Sequence, residues 1–257
     1  MSKKLDKDNL PEWFCPIPFS SLIFNPEGIV GSCREKGSYH EVGNINDSSW
    51  QEIWNGDRLK AWRREFLTGK ITTCSKEIAD RSCQKHLTNI SLIKGIELSE
   101  TQTNPPQRIS PDFNGQCNLT CNMCYVYKKP NGLYDEIGFW DKAQKDLFPF
   151  ISQIDPLGGE PFIQKDFYRL IDIISNNNNK PGWTITTNGH WKFNESIKSK
   201  LDLINLKLIS ISVDAIDPKI YKDIRGGDLH TVLKTLDALL LYKEERALRG
   251  DDFMVSL

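Results

Sequence analysis

The chain has 257 residues, with 33 basic against 34 acidic side chains and a formal net charge of −1. That length carries one large or two modest domains with a real core, and the even charge balance makes no electrostatic case for nucleic acid. No stretch approaches the ~20 apolar residues of a membrane span, and the charged start MSKKLDKDNLPEW has no apolar run behind it, so it does not read as a secretion signal.

The expected compartment is the cytoplasm, where thiols stay reduced. Seven cysteines are an odd count and argue against a pure disulfide framework. They sort into Cys15, Cys33, Cys74 and Cys83, then Cys117, Cys121 and Cys124. Four and three is the split expected for one closed metal site and one open one.

In chain order, residues 1–10 read as a disordered leader. Ser21-Leu22-Ile23-Phe24, the turn Asn25-Pro26-Glu27-Gly28 and Ile29-Val30 predict a β-hairpin. Cys15 precedes its first strand and Cys33 follows its second, so a hairpin would bring two distant thiols together. Val42 to Ile45 predicts a short extended piece. Ser49-Trp50-Gln51-Glu52 has the spacing of a capping box. Ile53, Trp54, Leu59, Trp62, Phe66 and Leu67 then follow a helical stripe that Gly56 interrupts and Gly69 ends. That stripe is core packing and carries no chemistry. Cys74, Cys83 and a lone surface-type His86 follow in a polar segment. Residues 87–107 read as a linker, with Asn104-Pro105-Pro106 as the boundary.

From Arg108 the pattern becomes strand, loop, helix, repeated. Strands are predicted at Arg108 to Phe113, Ser152 to Asp155, Trp183 to Thr187, Lys207 to Asp214 and from Phe253 on. Helices are predicted at Asp141 to Phe150, Lys165 to Ser175, Glu195 to Leu201 and Leu229 to Glu245. Alternating βα units mean a parallel sheet or barrel with its chemistry at the C-terminal strand ends. The first strand feeds Cys117-Asn118-Leu119-Thr120-Cys121-Asn122-Met123-Cys124, three thiols spaced CxxxCxxC. Three thiolates can hold three irons of a cubane and leave the fourth open, whereas four leave no such vacancy. A zinc knuckle is the plainer reading of the same spacing.

CNLTCNMC at the end of a strand resembles the signature of radical S-adenosylmethionine (SAM) enzymes. The resemblance implies an α/β fold: a partial (β/α)6-type barrel over residues 108–257, which stops as its fifth strand begins and so reads as a fragment or truncated product. It also implies a [4Fe-4S] cluster on Cys117, Cys121 and Cys124 whose open iron binds SAM. Reductive SAM cleavage then yields a 5′-deoxyadenosyl radical that abstracts hydrogen from a substrate. By the same resemblance Gly158, Gly159 and Glu160 of the GGEP segment, Asn188 of Thr187-Asn188-Gly189, Ser212, Asp214 and Arg225 line the SAM pocket. Met123 stands where the family often packs an aromatic on adenine. Strand alternation places Ser210, Ser212 and Asp214 on one face. His190 reads as solvent-facing.

Residues 11–86 resemble the SPASM/twitch type of accessory domain, through Cys15, twelve residues, Gly28, four residues, Cys33, then VGNI and SWQEIWN. The resemblance implies an auxiliary [4Fe-4S] cluster on Cys15, Cys33, Cys74 and Cys83, in a small α+β domain that here precedes the core. Four thiolates suit zinc equally. The later pair is spaced eight apart and is not a CxxC. The implied partners are a peptide or protein substrate and an electron donor such as flavodoxin or ferredoxin. The competing function is a non-catalytic iron–sulfur or zinc module with an incomplete SAM pocket.

Overall fold

The computed structural model describes residues 10, 14–34, 40–74, 97–177 and 180–257. The expectations for Cys83 and His86 lie outside the described residues. Two compact units are present: described residues up to Phe24 with Gly28–Ile109, and Asn25–Glu27 with Ser110–Leu257.

The first unit opens with a single helical turn, α1 (Ile17–Ser20), after Pro16. Strands β1 (Ser21–Phe24) and β2 (Ile29–Gly31) form the expected hairpin, Ile23 opposite Gly31 and Phe24 opposite Val30. Strand β3 (Glu41–Asn44) pairs antiparallel with β2. The helical stripe splits as Gly56 predicted, into α2 (Trp50–Trp54) and α3 (Asp57–Thr68). Gly69 ends α3 in the left-handed region at φ 75°. Leu22, Phe24, Val30, Trp54, Leu59, Trp62 and Phe66 make the core. Arg63 is buried with them, its guanidinium over the Trp54 ring and donating to the Pro18 and Glu100 carbonyls. Burial pushes its pKa down to about 9. Among the described residues, three strands and three helices make this the expected α+β unit.

The second unit is α/β. After β4 (Arg108–Pro111), whose second half belongs to it, come β5 (Gln153–Ile154), β6 (Gly182–Thr187), β7 (Asn205–Ile211) and β8 (Met254–Ser256). The sheet order is β4-β5-β6-β7-β8, and β5 to β8 pair in parallel. Short helices α4 (Leu133–Glu136) and α5 (Phe139–Asp146) follow β4. Helix α6 (Lys165–Ser175) follows β5, α7 (Glu195–Leu201) follows β6, and α8 (Pro218–Arg225) and α9 (Leu229–Leu248) follow β7. Alternation in β6 buries Trp183, Ile185 and Thr187. Helix α6 buries Phe167, Leu170, Ile171 and Ile174, one face at helical spacing. This is the α/β class of a partial (β/α) barrel.

Three expectations are corrected. The predicted strand through Asp214 ends at Ile211, because the ladder to β6 closes with Ser212 N donating to Thr187 O at 2.9 Å. Ser212 and Asp214 therefore belong to the loop, and strand alternation does not place them. Arg225 is the last residue of α8, a helix absent from the predicted elements. The helix predicted from Asp141 to Phe150 begins at Phe139 and gives way to a 3-10 turn at Phe148–Phe150, where Pro149 denies the α-helix a donor.

The capping box at Ser49 is complete: Ser49 N donates to Glu52 Oε2 at 2.8 Å, and Glu52 N to Ser49 Oγ at 3.3 Å. Ser49→Ala is expected to cost about 1 kcal/mol, read as a lower denaturation midpoint with an unchanged slope.

Candidate functional site

Four loops at the C-terminal ends of consecutive strands build the site: residues 112–132 after β4, 155–164 after β5, 188–194 after β6 and 212–217 after β7. The glycine-rich segment is fastened first. Asp112, buried at the end of β4, accepts from Leu157 N at 3.0 Å and Gly158 N at 2.8 Å. Gly158 packs so closely that a Cβ would lie 2.6 Å from Asp112 Cβ. Gly159 has φ 60°, and a Cβ there would meet Gln116 O at 2.3 Å. Both glycines are steric necessities.

Glu160 has no exposed surface. Its Oε1 accepts from Phe162 N at 3.1 Å and Thr187 Oγ1 at 2.8 Å, and its Oε2 from Asn188 N at 2.7 Å. The carboxylate thus ties the segment after β5 to the end of β6. Burial pushes its pKa up to about 7, against the pull of those three donors. Thr187 Oγ1 in turn accepts from Trp191 Nε1 at 2.7 Å.

The cysteine loop is anchored at both ends and in its middle. Gln116 O accepts from Glu160 N at 2.9 Å. Asn188 Nδ2 donates to Asn118 Oδ1 at 2.8 Å and lies 3.6 Å from Cys117 Sγ, and Asn118 Nδ2 donates to His190 O. Asn122 N donates to Ile224 O of α8 at 3.0 Å. Gly227, just past α8, fits against the loop: a Cβ would lie 2.9 Å from Leu119 Cδ2 and 2.6 Å from His190 Nε2. His190 is therefore half-buried, not solvent-facing, because α8 and the loop close over it.

Cys121 is buried, Cys117 half-buried and Cys124 exposed. Among the described residues, no group of three or more His, Cys, Asp or Glu side chains is gathered to hold a metal. Burial raises the pKa of Cys117, and Glu160 and Cys121 push the same way, against the bonds from Leu119 and Asn188. A cation bound there reverses that preference, since metal binding deprotonates its thiol ligands. In kind and number the donors fit a three-thiolate cluster: three thiols on one anchored loop, with a side-chain amide directed at the first sulfur.

Of the residues expected around SAM, Gly158, Gly159, Glu160 and Asn188 are brought together with Cys117. Arg225 and Asp214 are brought together with each other, Nε donating to Oδ2. Burial opposes the Arg225 charge, but the Asp214 bond outweighs it and holds the pKa above the ordinary arginine value, with Cys121 adding to the pull. Ser212 joins through its backbone alone. Met123 is 57% exposed. Cys15, Cys33 and Cys74 are each half-buried in the first unit. Sequence reasoning missed Asp112, Asn118, Gln164 and Thr187, which carry much of the fastening.

An α/β sheet whose strand ends assemble a CxxxCxxC loop, a GGEP segment and a TNG turn defines the class of protein. Residues 113–243, half of the chain, match the radical SAM superfamily, and the chain belongs to that superfamily. Residues 15–85 match the SPASM family, an iron-sulfur cluster-binding domain. The cofactors implied by these domains are a [4Fe-4S] cluster with SAM and an auxiliary iron–sulfur cluster. The chain is 32% identical over 127 residues to a probable GTP 3′,8-cyclase of Methanococcus vannielii, covering 48% of this chain and 41% of that protein. It is also 32% identical over 141 residues to the GTP 3′,8-cyclase of Alkaliphilus metalliredigens, covering 48% and 40%. The matches thus span about two fifths of the length of these curated relatives. Among solved structures it is similar to Streptococcus suis SuiB, with TM-score 0.42 and 15% identity over 91% of this chain and 53% of that one. No helix among the described residues is long and apolar enough to cross a membrane.

Glu160 supplies a pH test. Its folded pKa of about 7 lies above the ordinary 4.5, so the folded chain holds this proton more tightly than the unfolded one. Its contribution is favourable below the ordinary value and is lost as pH rises through about 7. Glu160→Gln is expected to flatten that part of the stability-versus-pH curve, measured by denaturation at a series of pH values.

Proposed function

We propose that this chain carries the SAM-cleaving core of a radical SAM enzyme acting on a peptide or protein side chain, with flavodoxin or ferredoxin as electron donor. The observation that carries the reading is the fastening of one three-thiol loop to both the GGEP segment and the Thr187-Asn188 turn. Cys117, Cys121 and Cys124 would hold the catalytic [4Fe-4S] cluster, and Cys15, Cys33, Cys74 and Cys83 an auxiliary one. When bound, cluster and SAM supply a one-electron reductive cleavage that yields the 5′-deoxyadenosyl radical.

The chain's own residues bind, orient and shield. Gly158 and Gly159, with no Cβ to collide with Asp112, Gln116 or Gln164, seat the segment whose backbone would meet the methionyl amino group. Glu160, fully enclosed, holds the Asn188 turn at a fixed distance from that backbone. Asn188 steers the Cys117 sulfur through its amide and offers a polar edge to SAM. Arg225, braced by Asp214, matches the SAM carboxylate with its planar fork. Ser212 and Met123 complete the pocket wall, Met123 as the apolar contact for adenine. Leu119, buried beside Gly227, keeps water from the inner side of the loop.

The SPASM match favours the peptide reading by analogy. A nucleotide substrate is the second reading, favoured by the cyclases that match at 32% identity. The competing module would bind metal without cleaving SAM.

Purified anaerobically, the chain is expected to be brown, to carry about two cubanes, and to release 5′-deoxyadenosine with SAM and reductant. Cys117→Ala with Cys121→Ala and Cys124→Ala should lose about half the iron and all cleavage. Colourless, zinc-loaded protein would establish the module instead. GTP-stimulated cleavage in the parent would select the nucleotide reading.

A further inference from the structure

Gln164 stands at the N-cap of α6, where Ser, Thr, Asp or Asn usually satisfy the first helical N–H groups. Its side chain makes no such bond. It turns inward instead and is 5% exposed. One atom, Nε2, donates to three carbonyls: Asn114 at 3.0 Å, Gln116 at 2.9 Å and Gly158 at 2.8 Å. A primary amide has two protons, so the three acceptors share them. Two of those carbonyls lie on the stretch that runs into Cys117, and the third belongs to the glycine-rich segment. The amide fits only because Gly159 has no side chain; a Cβ there would lie 2.5 Å from Nε2.

We infer that Gln164 is a positioning residue: its amide sets the spacing between the cysteine loop and the glycine-rich segment, and so the alignment of SAM against the cluster. The inference rests on the radical SAM reading of this site. Two glycines carry no side chains with which to fix their own distance from Cys117. Asp112 fastens the glycine-rich segment at the end of β4, but beside Cys117 the direct bond from Glu160 N to Gln116 O is the backbone tether about which the two segments can pivot. Three further contacts from one buried amide remove that pivot, and reacting groups lose large factors in rate when misplaced by about 1 Å. Buried carbonyls need partners in any case. A role limited to satisfying them would lower stability without a selective effect on SAM.

The test uses the full chain with Gln164→Met, which keeps length and removes both donors, and Gln164→His, which keeps one. Each is reconstituted anaerobically, and iron content, the electron paramagnetic resonance spectrum of the reduced cluster with and without SAM, and the SAM dissociation constant are measured. Gln164→Met is expected to hold as much iron as the parent, to lose the SAM-induced spectral change, and to bind SAM about tenfold more weakly. Gln164→His should fall between. In the metal-free chain, hydrogen exchange should quicken together at Gln116 and Glu160 and stay unchanged through β6. A Gln164→Met chain with the parent's spectrum and affinity overturns the inference. Should that variant fail to fold, a parent-like SAM response in Gln164→His overturns it equally. If the parent itself shows no SAM-induced change, the radical SAM reading falls first and takes this inference with it.

Discussion

One peptide carbonyl does much of the organising in the second unit. Gln116 O, immediately before the first cysteine of the loop, accepts from both Glu160 N and Gln164 Nε2. Both of its donors arrive from the next strand-and-loop unit. A carbonyl has two acceptor sites, and both are taken by the segment that would face SAM. The loop's position is thereby defined relative to that segment and not merely to its own strand.

Around this joint the polar groups close into a chain of partners. Asp112 holds Leu157 and Gly158. Glu160 holds Phe162, Thr187 and Asn188, and Asn188 reaches Asn118 and the Cys117 sulfur. Two fully or nearly fully buried carboxyl groups in one site are costly. Each is tolerated because backbone N–H groups surround it. The cost gives rigidity, since a satisfied buried network admits few alternative arrangements.

Much of this was legible in the sequence where a local signal exists. The bounds of α6 and α7 follow from the spacing of Phe167, Leu170, Ile171 and Ile174 and from the Asn194 cap. The Gly56 interruption and the Gly69 stop in the first unit were equally plain. Helix α8 was missed although Asp217, Pro218 and Gly226 carry start and stop signals, because it is only eight residues long and buries only Tyr221. Ser212 and Asp214 were assigned to a strand because alternation persists in sequence after the ladder has ended. Gln164, Asp112 and Thr187 gave no sign of their roles. Their partners lie on other loops, and nothing in a linear chain marks which buried carbonyl will want a donor. The fourth cysteine of the first unit lies outside the described residues.

The anchoring of the cysteine loop also imposes an order of assembly. Its outer fastening is to Ile224, about a hundred residues further on. At roughly 5–20 residues per second, synthesis reaches that point about 5–20 s after the thiols are made. Until then Asn122 has no carbonyl to meet, and the loop lacks the wall formed by α8 and Gly227. A nascent chain therefore leaves the loop, with the Cys121 that the folded chain buries, uncovered on that side until α8 has been made.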